Sequence, residues 1–327
     1  MKAKILLYAL PALILTNIHL AVAQQPKKVH LIGVLVGPSS SFFSARIDAF
    51  RGGLRDLGYV EGKNIAIESR YAEGREDRFP DLASQLVRLG VDVMVTTGTL
   101  ATHAAKAATS TIPIVMSAIG DPVGAGLVAS LARPGGNITG LAIFSPELSG
   151  KRLELLKESV PQISRVAILW NPSNASASLS LKETQAASQA LSLVLQVLEV
   201  RNTKDFEAAF ESAIRGRADA LFPINDGLVN AHYKEILEFA GKNRLPAIYA
   251  VPEYPDAGGL MSYAPNYTDH YRRTDTYVDK IFKGVKPADL PVEQPKKLEF
   301  VINLKAAKQI GLTIPANVLL RADKVIK

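Results

Sequence analysis

The stretch Val91–Gly140 reads VDVMVTTGTLATHAAKAATSTIPIVMSAIGDPVGAGLVASLARPGGNITG and decides the fold. Val91–Thr96 is apolar and rich in β-branched residues, which is typical of a buried strand. It leads through Thr97, Gly98 and Thr99 into an alanine-rich segment that ends near Ser110. This order predicts a strand, a tight polar turn and a helix.

The second half of the same stretch predicts another strand followed by a loop. Ile112–Ile119 is apolar, and Gly120-Asp121-Pro122 separates it from a short helical run at Val123–Leu131. Arg133–Asn137 then allows the backbone to change direction sharply before a new strand, Ile138–Phe144. We interpret this redirection as the point where the chain crosses from one lobe to another.

Strands and helices alternate on both sides of this stretch, which predicts an α/β protein with two doubly wound parallel-sheet lobes. Roughly 300 residues also exceed what one hydrophobic core usually serves. Further strands are predicted at Val29–Val36, Asn64–Tyr71, Val166–Trp170, Leu193–Val200, Ala220–Ile224, Ala247–Val251, Gly258–Tyr263 and Glu299–Ile302. Further helices are predicted at Phe43–Leu57, Phe79–Leu89, Pro146–Val160, Ala175–Leu191, Lys204–Ile214, Leu228–Lys242 and Tyr267–Phe282.

Residues 1–23 have the pattern of a secretory signal peptide. Lys2 and Lys4 precede an apolar run, and Ala21-Val22-Ala23 is a small-x-small cleavage signal, so cleavage is expected after Ala23. The alternative is a membrane anchor, but the run is short for a span of about 18 residues. The net charge of +7 falls by two when this leader is removed, and it is spread along the chain.

The chain contains no cysteine, so disulfides, thiolate metal sites and a lipid-anchoring cysteine are excluded. No basic stripe with interleaved aromatic residues is present, which argues against nucleic acid as a partner. Glycines after the first predicted strand lack the G-x-G-x-x-G spacing of a dinucleotide site, and His30, His103, His232 and His270 lack the spacing of metal ligands. The sequence therefore predicts no cofactor, no metal and no catalytic residues.

Several segments resemble the family of ABC-transporter substrate-binding proteins that includes the tryptophan- and tyrosine-binding TrpX type. The resemblance lies in Ile112–Gly140, in GLRDLGYVEGKNI at Gly53–Ile65, in RVAILWNPSN at Arg165–Asn174, in GGLMSY at Gly258–Tyr263 and in FVINLKAAKQIGLTIP at Phe300–Pro315. It implies a periplasmic binding protein type I fold, in which a multi-strand hinge joins the lobes. We expect an N-terminal lobe of residues 24–142 and 264–292, and a C-terminal lobe of 143–263 and 293–327.

The resemblance also implies a function. We expect a monomer in the periplasm, without a lipid anchor, that captures a small solute by hinge closure and delivers it to an ABC permease and its ATPase subunit. The implied solute is an amino acid, with an aromatic one as the first candidate. Two alternatives stay open: an exported sensor for a membrane receptor, and an exported α/β enzyme.

The carboxyl edges of parallel strands meet at one side of a sheet, so the loops that follow the strands predict the ligand site. Backbone N–H groups and hydroxyls in the first lobe would hold a carboxylate, and Asp226 would hold an ammonium group. The predicted site residues are Ser39, Ser40, Phe42, Thr97, Gly98, Thr99, Ala118, Gly120, Asp121, Asn171, Asn174, Asp226, Tyr249, Glu253 and Tyr263.

Each of these assignments has a structural alternative. Thr97–Thr99 could simply cap the following helix, and Asp121 before Pro122 could be a turn residue. Asp226 could be the N-cap of the helix that begins near Leu228.

Overall fold

The structure is a computed structural model that describes residues 28–37, 40–143 and 145–327, with only the backbone of residues 40–42. The leader predicted for residues 1–23 lies outside the described residues. In chain order the strands are β1 His30–Val36, β2 Ile65–Tyr71, β3 Val93–Thr97, β4 Ile114–Ile119, β5 Ile138–Ala142, β6 Arg165–Trp170, β7 Val194–Glu199, β8 Ala220–Pro223, β9 Ile248–Tyr249, β10 Met261–Pro265, β11 Leu298–Asn303 and β12 Lys324–Ile326.

The α-helices alternate with the strands. They are α1 Ser40–Asp56, α2 Phe79–Leu89, α3 Thr99–Ala108, α4 Ser145–Ser159, α5 Ala175–Ala190, α6 Asp205–Arg215, α7 Gly227–Ala231, α8 Tyr233–Lys242, α9 Tyr267–Phe282, α10 Leu304–Gln309 and α11 Ala316–Leu319. None of the helices in the described part of the chain combines the length and the apolar character that crossing a bilayer requires.

The first sheet has five strands in the order β2-β1-β3-β4-β5, all parallel. Ile32 on β1 lies opposite Ile67 on β2 and Val93 on β3. One face of the sheet packs against α1 and α9 through residues such as Phe50 and Tyr271, and the other packs against α2 and α3 through residues such as Leu86. Helices on both faces explain why the inner strands β1, β3 and β4 are largely buried rather than alternating.

The second sheet is also mostly parallel. β7-β6-β8 form one run and β12-β11-β10-β9 another, and a bridge between Leu221 and Ala247 joins them. β11 runs antiparallel to β10. Apolar clusters cover both faces here as well. The cluster on one face contains Ile168 and Phe222 and packs against α4 and α5. The cluster on the other face contains Leu169 and packs against α6 and α8. The α/β class and the doubly wound sheets predicted from the sequence are confirmed.

The chain passes between the two sheets after β5, after β10 and before β11. Helix α9 follows β10 of the second sheet but packs on α1 and β4 of the first. Glu293 still pairs with Leu141 of β5, and β11 then returns to the second sheet. These connecting segments place the hinge between the lobes, while the lobe boundaries given above remain a prediction.

Two predicted helices are wrong. Val123–Leu131 forms turns instead of a helix, because the Asp121 carboxylate accepts hydrogen bonds from the N–H groups of Val123 and Gly124 and because Gly126 has a φ of 68°. The helix predicted over Leu228–Lys242 is divided at His232, which belongs to neither α7 nor α8.

Candidate functional site

A cavity lies between the carboxyl edges of the two sheets, where the loops after β3, β4, β6 and β8 converge. Its walls come from both sheets, so the cavity exists only in the arrangement where the two lobes face each other. Seven of the predicted site residues line it: Thr97, Gly98, Thr99, Ala118, Gly120, Asn174 and Asp226.

The first-lobe wall is built on the N-terminus of α3. Gly98 precedes this helix with φ 84° and ψ 163°, a backbone conformation that favours glycine. Glycine has no side chain, and no side chain caps the helix. The first N–H groups of a helix have no partner within it and carry partial positive charge, so this wall can accept an anion.

Ala118 borders the same wall in a strained conformation. It has a φ of 57°, in the left-handed region that alanine rarely adopts, at a register shift between Met116 and Ile119 of β4. Its N–H donates a long hydrogen bond of 3.4 Å to Nε2 of His270 on α9. Burial, together with Arg273, lowers the pKa of His270 to about 3, so the ring stays neutral and can accept this bond. Strain of this kind is often found at ligand sites.

The second-lobe wall carries the buried carboxylate of Asp226. Its Oδ1 accepts from the N–H of Leu228 at 2.9 Å and caps α7, and its Oδ2 accepts from Nδ2 of Asn174 at 2.8 Å. Burial raises the pKa of Asp226, while these donors act in the opposite direction. Asn174 in turn caps α5 by accepting from the N–H of Ser176. Asp226 therefore both caps a helix and faces the cavity.

Glu76 is a second carboxylate at the cavity, and the sequence analysis missed it. It lies in the turn Glu76–Arg78 between β2 and α2, and its Oε2 accepts from Nδ2 of Asn171 at 2.7 Å. Burial, followed by repulsion from Asp226, raises the pKa of Glu76 to about 8. The available signal was its position after β2, at the same sheet edge as the other loops.

Arg46 on α1 is a buried cation at the cavity that the sequence analysis also missed. Its Nη2 lies 3.1 Å from Oε2 of Glu253, and its guanidinium stacks 4.4 Å from the centre of the Tyr267 ring. Burial alone would lower the pKa of Arg46, but Glu253 raises it above the usual value. Glu253 comes from the second lobe, so this ion pair joins the lobes.

Other contacts across the cleft show that the lobes are closed. Oγ1 of Thr99 on the first lobe lies 3.0 Å from Oγ of Ser176 on the second. Oγ of Ser176 also accepts from the N–H of Asp121 at 3.3 Å. A Cβ atom at Gly120 would lie 3.0 Å from the Cβ of Ser176, so any other residue would push against Ser176 in this approach. Ser176 is a third residue that the sequence analysis did not identify.

The other predicted site residues whose side chains the structure describes do not line the cavity. Asp121 stabilises a turn, Asn171 lies behind Asp226 and Glu76, and Glu253 holds Arg46. Tyr249 is buried in the second-lobe core, and Tyr263 contacts Phe300 edge to face. Ser39 lies outside the described residues, as do the side chains of Ser40 and Phe42. Among the residues that the structure describes, no group of three or more histidine or acidic side chains could hold a metal ion.

A family model described as ABC transporter substrate binding protein matches residues 28–326. The chain belongs to this family. The two facing sheets and the chain passing between them give this substrate-binding protein the type I fold of periplasmic binding proteins. The family consists of solute-binding proteins and not enzymes.

Individual relatives agree with this assignment. A tyrosine-binding protein of Clostridioides difficile is 26% identical over 260 residues, which cover 79% of this chain and 74% of that protein. The structure of an ABC domain from Streptococcus pneumoniae in complex with L-Trp is 28% identical, covers 90% of this chain and 100% of that one, and superposes with a TM-score of 0.82.

A second solved structure concerns the open state. The ligand-free, open structure of a substrate-binding protein with adhesive properties from Clostridium difficile is 25% identical, covers 91% of this chain and 99% of that one, and gives a TM-score of 0.63. The substrate-binding protein described here thus agrees better with the L-Trp complex than with the open form. This agrees with the contacts across its cleft.

Proposed function

We propose that this chain is the solute-binding component of an ABC importer and that its ligand is an amino acid, with an aromatic side chain as the first candidate. One observation carries the proposal: the cavity offers groups of opposite charge on its two walls. The uncapped N-terminus of α3 would hold the ligand's carboxylate, and the buried carboxylate of Asp226 would hold its ammonium group.

Part of the remaining cavity surface suits an apolar side chain. Phe79 and Tyr267 line it together with Leu100 and Ala101 of α3. Aromatic rings prefer stacked or edge-to-face neighbours, and such pairs contribute about 0.5–1.5 kcal/mol beyond buried area. Relatives named for tyrosine binding and solved with L-Trp support an aromatic ligand.

The mechanism is hinge closure without bond making or breaking. A ligand that contacts both walls stabilises the closed state by its differential affinity for that state. Dissociation constants near 1 μM correspond to roughly 8 kcal/mol. Charge-assisted hydrogen bonds of about 1.5–3 kcal/mol each and one buried ring supply this after ordering costs.

The proposal includes location and partners. With residues 1–23 removed, the chain would act in the periplasm as a monomer and present its closed form to a permease with an ATPase subunit. The lobes would be residues 24–142 with 264–292, and 143–263 with 293–327.

Binding is tested with the protein lacking residues 1–23, stripped of ligand by unfolding and refolding. Thermal unfolding and calorimetry compare L-tyrosine and L-tryptophan with their deaminated and decarboxylated analogues. We expect the amino acids to raise the melting temperature by several degrees at about 100 times Kd, and each analogue to bind at least tenfold more weakly. Equal binding of the analogues, or no binding by any amino acid, would reject the proposed ligand class.

Delivery needs a separate test. The gene is deleted in its host, and uptake of the labelled ligand found above is measured. We expect uptake to fall strongly and to recover with the wild-type gene. Unchanged uptake by the deletion strain, when the purified protein binds the same ligand, would favour the sensor instead.

A further inference from the structure

Closure of the lobes brings two carboxylates together. Glu76 belongs to the first lobe, between β2 and α2, and Asp226 belongs to the second, between β8 and α7. Nδ2 of Asn171 donates to both, at 2.7 Å to Oε2 of Glu76 and at 3.2 Å to Oδ1 of Asp226. A Cβ atom at Gly227 would lie 3.6 Å from Oε1 of Glu76, so both oxygens of Glu76 face the second lobe.

Among the residues that the structure describes, the charged groups around this pair do not neutralise it. The hydrogen-bond partners of Glu76, the Asn171 amide and the N–H of Leu228, are uncharged. Arg46 lines the same cavity, but its guanidinium pairs with Glu253. On the turn that carries Glu76, Arg75 pairs with Asp77 and Arg78 donates to the carbonyl of Ala72.

His232 is an ionisable residue behind the second wall, on the segment between α7 and α8. The ring of His232 is buried, and its Nδ1 lies 2.9 Å from the carbonyl oxygen of Leu228.

Two carboxylates that share a site out of water cannot both ionise without cost, because like charges disfavour each other's charged form. Closure of the empty cleft therefore opposes full ionisation of Glu76 and Asp226.

We propose that Glu76 makes closure depend on a positive charge next to Asp226: the ammonium group of the ligand, or a proton when no ligand is bound. This inference rests on the proposed function, because it assigns the ammonium end of the same ligand. It predicts a requirement for an amine and makes Glu76 a specificity-determining residue. The ammonium group takes the place of the shared proton, so binding near neutral pH releases a proton to the buffer.

The electrostatics of the closed form agree with this role. Burial and Asp226 raise the pKa of Glu76 to about 8, and burial raises the pKa of Asp226 as well. The pair in the empty closed form therefore holds a proton near pH 7 and loses it above pH 8. An ammonium group between the two carboxylates would favour their ionised forms and drive that proton off at lower pH.

The first experiment follows closure without ligand. Small-angle scattering of the stripped protein gives the radius of gyration at pH 6 and pH 9 for the wild type and for two variants. Glu76→Gln replaces the acid by a neutral group of the same shape. Asp77→Asn removes an equal charge from the same turn but from a residue that pairs with Arg75 outside the cavity.

We expect the wild type and Asp77→Asn to expand from pH 6 to pH 9, and Glu76→Gln to keep the smaller radius at both. An identical pH response in all three proteins would overturn the role of Glu76. Circular dichroism of each variant shows whether the fold is retained.

The second experiment uses unmodified protein and so does not depend on a variant folding. Titration with L-tyrosine or L-tryptophan at pH 7, in buffers of different ionisation enthalpy, gives the number of protons released. We expect a substantial fraction of one proton from the wild type, and a loss of most of this release in Glu76→Gln.

The two proposals fail separately in these experiments. Tight binding without proton release would overturn the charge-dependent closure and leave the amino-acid site in place. If no amino acid binds but the empty protein still closes at low pH through Glu76, the proposed ligand is wrong and the charge-dependent closure holds.

Discussion

The two walls of the cleft differ in how the N-termini of their helices are capped. On the first-lobe wall, α3 begins after Gly98 without a side-chain cap, so its N–H groups remain available to a ligand. On the second-lobe wall, Asn174 caps α5 and Asp226 caps α7. One wall thus presents backbone donors and the other presents a carboxylate, although both are built from the same strand–loop–helix unit.

The contrast shows how a symmetric architecture yields a polar site. A capping aspartate satisfies the helix terminus and leaves an anionic oxygen at the surface of the cavity, whereas an uncapped terminus leaves positive character there. At these two helices, the charge that the terminus presents to the cavity is therefore set by the residue just before the helix. Three tests compare the two walls and examine the contact between them.

The largest effect is expected from Asp226→Asn on the second-lobe wall. The amide keeps one oxygen that can cap α7, but it removes the charge that would hold the ammonium group. Truncating one member of a buried charge pair costs about 2–5 kcal/mol, so we expect affinity for the amino acid to fall by roughly 30-fold or more. Calorimetry measures the change.

Asp121→Asn is the matched control for that change. Asp121 also accepts backbone N–H groups after a strand, but it does not line the cavity. We expect its affinity to stay within about threefold of the wild type, a difference of under 1 kcal/mol. If Asp121→Asn weakens binding as much as Asp226→Asn, the assignment of charge to the second wall is wrong.

The second test uses the pH dependence of stability to compare two titratable groups of the first lobe, His270 and Glu76. The pKa of His270, which supports Ala118 on the first wall, falls from 6.5 to about 3, so the unfolded chain binds a proton there that the folded chain does not. Its contribution to stability is fully present above pH 6.5 and is lost as the pH falls toward 3.

In the ligand-free closed form, the contribution of Glu76 to stability depends on pH in the opposite direction from that of His270. The pKa of Glu76 rises from 4.5 to about 8, so its contribution is fully present below pH 4.5 and is lost as the pH rises through 8. Asp275 on α9, whose pKa burial raises to about 7, adds to this alkaline loss.

Denaturant midpoints measured from pH 4 to pH 9 test both of these pH dependences of stability. We expect His270→Gln, which keeps an acceptor for the N–H of Ala118, to flatten the acid side, and Glu76→Gln to flatten the alkaline side. An unchanged acid side in a folded His270→Gln protein would show that His270 titrates normally.

Much of the fold follows from local pattern. The helix Tyr267–Phe282 and the helix Phe79–Leu89 have the predicted bounds, because each has a continuous apolar face and a clear end. The helix predicted over Val123–Leu131 is wrong because the apolar spacing suits a helix, while Gly124, Gly126 and the side chain of Asp121 favour turns. In this segment the residues that favour turns determine the structure, and the spacing of the apolar residues does not.

The sequence predicts only those site residues whose position follows from the sheet topology. The rule that loops meet at the carboxyl edge brought Thr99, Ala118 and Asp226 to one cavity. The same rule could have included Glu76, because it follows β2 at that edge. Ser176 could not be found in this way, because its role depends on the lobe across the cleft and the closing angle is not encoded in any local segment. Tyr249 was misplaced because a strand end gives no information about whether a ring faces the cavity or the core.

The smallest effect is expected where the two walls meet, at the hydroxyl pair of Thr99 and Ser176. Thr99→Val keeps the shape of the side chain and removes one hydrogen bond, which is worth about 0.5–1.5 kcal/mol, so affinity should fall roughly two- to tenfold. Ser176→Ala should cost more, because Oγ of Ser176 also accepts from the N–H of Asp121. Ser178→Ala on the same helix is the control.

The double variant decides whether this contact acts through closure. If the two hydroxyls stabilise the closed state through each other, Thr99→Val should add little to Ser176→Ala, because the bond is already lost. Additive losses would mean that each hydroxyl contacts the ligand or its own wall independently. The walls would then differ not only in charge but also in how each one closes over the ligand.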